Sequence, residues 1–502
     1  MTGIIYFRGV RFADAPVGDL RFRAPVSPPS THLGDVNATQ FSDACIPASR
    51  STVAPGTSED CLFGNIYIPI NTTINDKLPV MVWFHGGGFQ SDSTHDAPPE
   101  MIMHSSARPM IFASFEYRLG PLGWIGGTQI HDDGDLNAGF LDQRAALRWL
   151  QRYIGQFGGD NNKVTIWGQS AGAGSTMFHV ISFIFRSSLS YSQALSQLIA
   201  NGGDTEGLFH AAMGDSPSLS FVPSFNEDYD INLFNQYAEL AGCGNQGDNA
   251  LKCLRSASTE ALALASSLLI ANLFLYAPIL DGRLIKERPV EAFNAGHFAR
   301  VPVLFGSNTD DGAHWSTGIS DPSANTGTPN ATEDTVFNFF HGQYATAIRN
   351  SINRALELYP LESFNNSLIL QTQQMYGELR YICTAGLVTG SVSKFNTAFR
   401  FRYNNPHLGS FHKNDLQAFF GAPSNANQDD LTLFEAMRQY FTSFVTTGTP
   451  SAVGSSAWGR VTESSRSSRI VFHPAGIQME QVDDLQSTRC NFWRGLSQEL
   501  QT

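Results

Sequence analysis

Alternating strand and helix signals along 502 residues predict an α/β architecture, a large and mostly parallel central sheet flanked by helices. Three observations carry that expectation. Leu78 to Phe84 and Met110 to Phe115 are apolar runs with the length of buried strands. Asn137 to Leu150 places apolar residues at helical intervals and stops near Phe157-Gly158-Gly159-Asp160. Val164 to Trp167 is a third strand, and it runs straight into the small residues of Gly168-Gln169-Ser170-Ala171-Gly172. Strand, helix, strand is the rhythm of a parallel sheet, and no linker cuts the chain, so residues 1–502 read as one domain.

The elements follow in order. Tyr6 to Ala13 and Pro16 to Phe22 alternate apolar and polar residues around turn formers, which suits short strands. Cys45 and Cys61 flank a stretch rich in Ser, Pro and Thr with no amphipathic period, hence a surface loop. The strand ending at Phe84 leads into His85-Gly86-Gly87-Gly88-Phe89, whose glycines let backbone N–H groups approach a ligand. Glycines two residues either side of Ser170 remove the Cβ clashes that would forbid a tight strand-to-helix turn, making Ser170 a candidate nucleophile.

Further along, Ala261 to Leu280 is uncharged and about long enough to span a bilayer. It contains Ser266, Ser267, Asn272 and Pro278 and leads into Asp281-Gly282, so a core helix followed by extended chain is expected instead. Val301 to Gly306 is a strand ending in Ser307-Asn308-Thr309-Asp310-Asp311-Gly312, and Thr432 to Thr447 has the period of an amphipathic helix before Gly448.

Composition narrows the class of function. A net charge of −13 and the absence of any basic block argue against nucleic acid, while 42% hydrophobic residues support an extensive core. Six cysteines, Cys45, Cys61, Cys243, Cys253, Cys383 and Cys490, contain no Cys-x-x-Cys, so no metal site or other cofactor is expected and three disulfides is the simplest reading. Sequons at Asn37, Asn71, Asn330 and Asn365 fit an oxidising secretory route, although no basic-then-apolar leader precedes Thr2.

Taken together, these markers resemble the type-B carboxylesterase/lipase family, which also holds the cholinesterases and the fungal lipases, and they span nearly the whole chain. They are Phe12-Ala13 to Phe22, Glu59-Asp60-Cys61-Leu62, His85 to Phe89, Tyr117-Arg118-Leu119-Gly120, Leu141-Asp142-Gln143, Phe157 to Asp160 and Gly168 to Gly172. The resemblance implies an α/β-hydrolase fold and hydrolysis of small-molecule or lipid esters through a serine acyl-enzyme. It places the catalytic acid at Asp311, where the family usually carries glutamate, and the general base at His412. It also assigns the oxyanion hole to Gly87, Gly88 and Ala171, and pairs Cys45 with Cys61, Cys243 with Cys253 and Cys383 with Cys490.

Two departures qualify the resemblance. Gln169 stands where glutamate is common, and no aromatic residue lies between Ile46 and Glu59, so choline esters are unexpected substrates. The same disulfide loop, a long apolar lid in the family's lipases, is short and polar here, which favours soluble esters of short or medium acyl chains; a lipase or sterol esterase is the alternative. Residues 180–197 form an atypical Ser-rich apolar insertion, read either as a cap over the pocket or as a translated intron. Phe221, Phe274 and Phe305 are candidates to line an acyl pocket, with plain core as the competing reading. A non-catalytic binding module is disfavoured because serine, acid, histidine and glycine loop are all retained.

Overall fold

In the computed structural model, residues 3–182, 205–244, 249–270 and 275–502 are described. The first half contributes β1 (Ile4–Arg11), β2 (Ala44–Cys45), β3 (Thr57–Ser58), β4 (Phe63–Pro69), β5 (Leu78–Phe84), β6 (Ile111–Phe115) and β7 (Gly159–Gln169). The second contributes β8 (Ala211–Asp215), β9 (Val303–Asn308), β10 (Ala398–Tyr403), β11 (Ser468–Phe472) and β12 (Gln478–Gln481). Ten of these form one sheet in the order β1-β4-β6-β5-β7-β8-β9-β10-β11-β12. Every pairing from β6 through β11 is parallel, and antiparallel strands close both edges. This is the α/β-hydrolase architecture, with the serine-bearing strand β7 in the middle of the sheet.

Central strands covered on both faces should be largely apolar, and β5, β6 and the buried Val164–Trp167 part of β7 are. Val80, Val82, Val164 and Ile166 pack in one cluster with Phe140, Leu147 and Phe178 from helices Ala138–Tyr153 and Ala171–Ile181. Met81, Trp83 and Trp167, on the opposite face, pack in another with Phe434 and Phe441 of helix Gln428–Thr447. Alternate residues of each strand therefore serve different helix layers.

Helix Gln428–Thr447 begins four residues before the periodic stretch that announced it. The side chain of Asn427 accepts from the N–H groups of Asp429 and Asp430, at 2.9 and 3.0 Å, so a polar cap and not an apolar stripe sets the start. Helix Thr259–Leu269 is capped by Ser258 and exposes Leu264 and Leu268; it lies at the surface and is not wholly core. Among the described residues no helix is long and apolar enough to cross a membrane.

Phe305 does not line an acyl pocket. It is fully buried on β9, against Gly214 of the neighbouring strand, where a Cβ would lie 2.2 Å from its ring. Phe221 is also core, packed edge-on against Tyr229 at 5.1 Å. Phe274 lies outside the described residues, as does most of the 180–197 stretch. Val180 and Ile181 are buried in the last turn of helix Ala171–Ile181, which ends at Ser182.

All six cysteines are paired, Cys45 with Cys61, Cys243 with Cys253 and Cys383 with Cys490. The first pair closes a loop whose inner residues Ile46 and Ala48 are buried while Arg50, Ser51, Thr52, Pro55 and Gly56 face outward. A buried ion pair, Arg21 to Glu59 at 2.6 Å, anchors its far end.

Candidate active site

The tight turn after β7 forces Ser170 into a backbone conformation with φ 58° and ψ −120°. Such a turn needs chain on chain. A Cβ at Gly172 would sit 2.0 Å from the Phe84 carbonyl oxygen, and one at Gly168 would sit 2.4 Å from the Gly172 backbone. The glycines thus let the first turn of helix Ala171–Ile181 lie directly against the end of β5. The Ser170 N–H is held by the Asp215 carbonyl at 2.9 Å, tying the turn to β8 as well.

The end of β5 leads into the triple-glycine loop. Gly87 and Gly88 have φ of 86° and 63°, and a Cβ at Gly86 would come within 3.1 Å of the Ser170 side chain. Among the described residues no acceptor takes the N–H of Gly87, Gly88 or Ala171. Ala171 is the first residue of its helix, where an N–H has no intrahelical partner. Tyr117 steadies the junction, donating to the His85 carbonyl at 2.7 Å while its ring stacks on the His85 ring.

Asp311 and His412 follow adjacent parallel strands. β9 and β10 pair from Val303–Ala398 to Asn308–Tyr403, and the register continues past them: the Asp310 N–H donates to the Ser410 carbonyl at 2.9 Å, and the Asn308 amide donates to the Phe411 carbonyl at 2.6 Å. These ties bring Asp311 and His412 together. His412 Nδ1 lies 2.8 Å from Asp311 Oδ1, and Nε2 lies 2.8 Å from Ser170 Oγ. Because the carboxylate only accepts, Nδ1 carries the hydrogen and Nε2 faces the serine hydroxyl as acceptor. The other carboxylate oxygen, Asp311 Oδ2, accepts from the Ser216 hydroxyl at 2.9 Å and the Asn308 N–H at 2.8 Å, so the fully buried acid is fixed in place. Tyr381 and Trp315 flank the imidazole with ring centroids 4.4 and 5.4 Å away.

Sequence reasoning brought these positions to notice but missed their surroundings. Gln169 Nε2 lies 3.2 Å from His412 Nε2, beside the serine. Asp215 and Asp415 are fully buried nearby; burial, then the Asp415 and Asp311 charges, pushes Asp215 well up, and burial with the Asp311 charge pushes Asp415 up to about 7. Under the glycine loop, burial pushes Glu116 up to about 7 and His85 down to about 4, with 3.6 Å between Glu116 Oε2 and His85 Nε2. None of these pairings has a local sequence signal, since each joins residues from different elements.

The geometry can activate a serine hydroxyl, pass its proton to an imidazole and place a negative oxygen among backbone N–H groups. The comparisons agree in kind. A family model described as "Carboxylesterase family" matches residues 2–493. Lipase 2 of Geotrichum candidum is 33% identical over 401 residues, covering 70% of this chain and 66% of that protein. Secreted lipase 1 of Botryotinia fuckeliana is 30% identical over 511 residues, covering 90% of this chain and 82% of that one. The crystal structure of Aspergillus niger EstA superimposes with a TM-score of 0.86 at 28% identity, covering 100% of this chain and 96% of that one. The chain belongs to the carboxylesterase family and is a carboxylic ester hydrolase.

Proposed function

We propose that Ser170, His412 and Asp311 are the catalytic triad of this hydrolase, with Gly87, Gly88 and Ala171 as its oxyanion hole. The observation that carries the reading is the unbroken line of two 2.8 Å contacts from Ser170 Oγ through His412 to Asp311. In it, His412 takes the proton of Ser170 as Oγ attacks the ester carbonyl, and the N–H groups of the glycine loop and Ala171 receive the developing oxyanion. His412 then protonates the departing alcohol, and water, deprotonated by the same imidazole, releases the acid. Asp311 holds the tautomer throughout and offsets the imidazolium charge. A fluorophosphonate probe should label Ser170 in the native protein; persistent labelling of Ser170→Ala would move the nucleophile elsewhere.

The preferred substrates are soluble esters of short or medium acyl chains. The loop closed by Cys45 and Cys61 supports this, because it presents Arg50, Ser51 and Thr52 outward while Ile46 and Ala48 are buried. The names of the fungal relatives favour a second reading as a lipase. Rates on p-nitrophenyl butyrate and on emulsified trioctanoin separate the two: activation at the oil interface would establish the lipase reading. Export through a secretory route is supported by the disulfides, by the exposed sequons at Asn37, Asn71, Asn330 and Asn365, and by a relative named as secreted.

A further inference from the structure

We propose that a cavity between β10, helix Cys383–Val392 and helix Asp484–Gly495 is a binding site for a tetrahedral oxyanion, phosphate or sulfate, with room for a small organic group on it. The cavity measures about 320 Å³. Its lining includes none of Ser170, Asp311 and His412, and among the described residues it includes no carboxylate at all. Instead it gathers Arg400, Arg494, Arg466 and Lys394, with Ser487 and Asn491 as further donors. In a chain of net charge −13 such a wall runs against the general balance.

Arg400 is the floor of the cavity and its most informative residue. It is 5% exposed, and its Nε has no hydrogen-bond partner among the described residues. The one hydrogen bond its side chain makes there, to the Ile382 carbonyl, is 3.5 Å long. Two comparably buried arginines face carboxylates: Arg21 meets Glu59 at 2.6 Å, and Arg118 meets Asp142 at 2.7 Å. Glu480, whose charge Arg400 feels, is already engaged by Arg402 and Arg469 at 2.7 and 2.5 Å. Burial, then the neighbouring Arg469 and Arg494 charges, lowers the Arg400 pKa.

A buried guanidinium without a carboxylate of its own is costly unless something supplies one. The fold also makes deliberate room for this group, since a Cβ at Gly386 would lie 3.1 Å from three of its guanidinium atoms. Half-buried Arg494 forms a wall, while exposed Lys394 and Arg466 stand at the rim, Arg466 also pairing with Glu463 at 2.8 Å. A planar fork below and cations around it match an oxyanion that takes several charge-assisted hydrogen bonds at once. The volume exceeds what a bare ion fills and lies at the lower end of small-ligand pockets.

Titration calorimetry and thermal melts with inorganic phosphate and with phenyl phosphate, at ionic strength held constant with sodium chloride, test the site. Saturable one-to-one binding with a rise in melting temperature is expected, together with at least tenfold weaker binding in Arg494→Gln and Lys394→Gln. Hydrolysis of p-nitrophenyl butyrate should stay unchanged in both variants, separating this site from the triad. Tighter binding of phenyl phosphate would identify the occupant as a phosphate ester, and tighter binding of phosphate the free ion. Arg400→Gln should abolish binding; should it fail to fold, the Arg494 and Lys394 variants decide. No saturable binding, or equal binding in wild type and Arg494→Gln, overturns the proposal.

Discussion

The side-chain amide of Gln169 lies 3.2 Å from the same His412 nitrogen that faces the Ser170 hydroxyl. An amide N–H there competes with the hydroxyl for one lone pair, whereas a carboxylate would attract the imidazolium formed during catalysis. Gln169→Glu should therefore move the acidic limb of the kcat/KM profile upward by about one pH unit. Rates on a soluble ester between about pH 5 and 9 check this. An unmoved limb would mean that residue 169 does not act on the base.

Asp311 is an acceptor in three hydrogen bonds and is fully buried. Asp311→Asn keeps the shape but reverses the preferred imidazole tautomer, and kcat should fall about 10⁴-fold with KM little changed. Ser216→Ala removes only one of the bonds that position the acid, so its loss in kcat should be about tenfold or less. Steady-state kinetics on both variants measures the difference.

Asp215 and Asp415 give the fold a pH dependence of its own. Both carboxyls are raised by burial, Asp415 to about 7, so the folded state holds their protons more tightly than the unfolded chain does. Their stabilising contribution is complete below the ordinary aspartate range and is lost as pH climbs through the folded values. Asp415→Asn retains an acceptor for the Asn308 amide and has no proton to lose. It should melt above the wild type near pH 9, by about 2 kcal/mol in stability, and show a clearly smaller advantage near pH 5. Calorimetric melts at the two pH values are the test.

The Cys383–Cys490 bridge spans 107 residues, the longest of the three separations. Closing a loop of that size restricts the unfolded chain by about 4 to 5 kcal/mol in the entropy account. Cys383→Ser with Cys490→Ser should lower the denaturation midpoint more than removal of the Cys243–Cys253 bridge, whose separation is 10 residues. Chemical denaturation of both double variants compares them.

Much of the sheet, the Ser170 turn and the glycine loop were legible in sequence because their signals are local, whereas Asp311 and His412 were placed by family resemblance. Apolar runs mark β5, β6 and the end of β7, and the glycines at 168 and 172 mark the turn because only they allow helix and strand to touch. The disulfide pairing came from family resemblance and not from spacing. What escaped notice depends on distant partners. Phe305 reads the same whether it faces a pocket or fills the space over Gly214, and Asn427 lies outside the apolar period of the helix it starts. Gln169 looked like a missing charge; only the fold shows that its amide reaches His412.

Two ties join the loops after β9 and β10: the Asp310 N–H donates to the Ser410 carbonyl, and the Asn308 side-chain amide donates to the Phe411 carbonyl. Asp311 and His412 are thereby held to each other, while Ser170 is held separately, by the turn between β7 and its helix and by the Asp215 carbonyl. Heat inactivation should begin as a gap opening across the Ser170–His412 contact, leaving the imidazole still correctly oriented. Ligands that bridge that gap, such as a covalent phosphonate, would then protect the whole assembly out of proportion to their size.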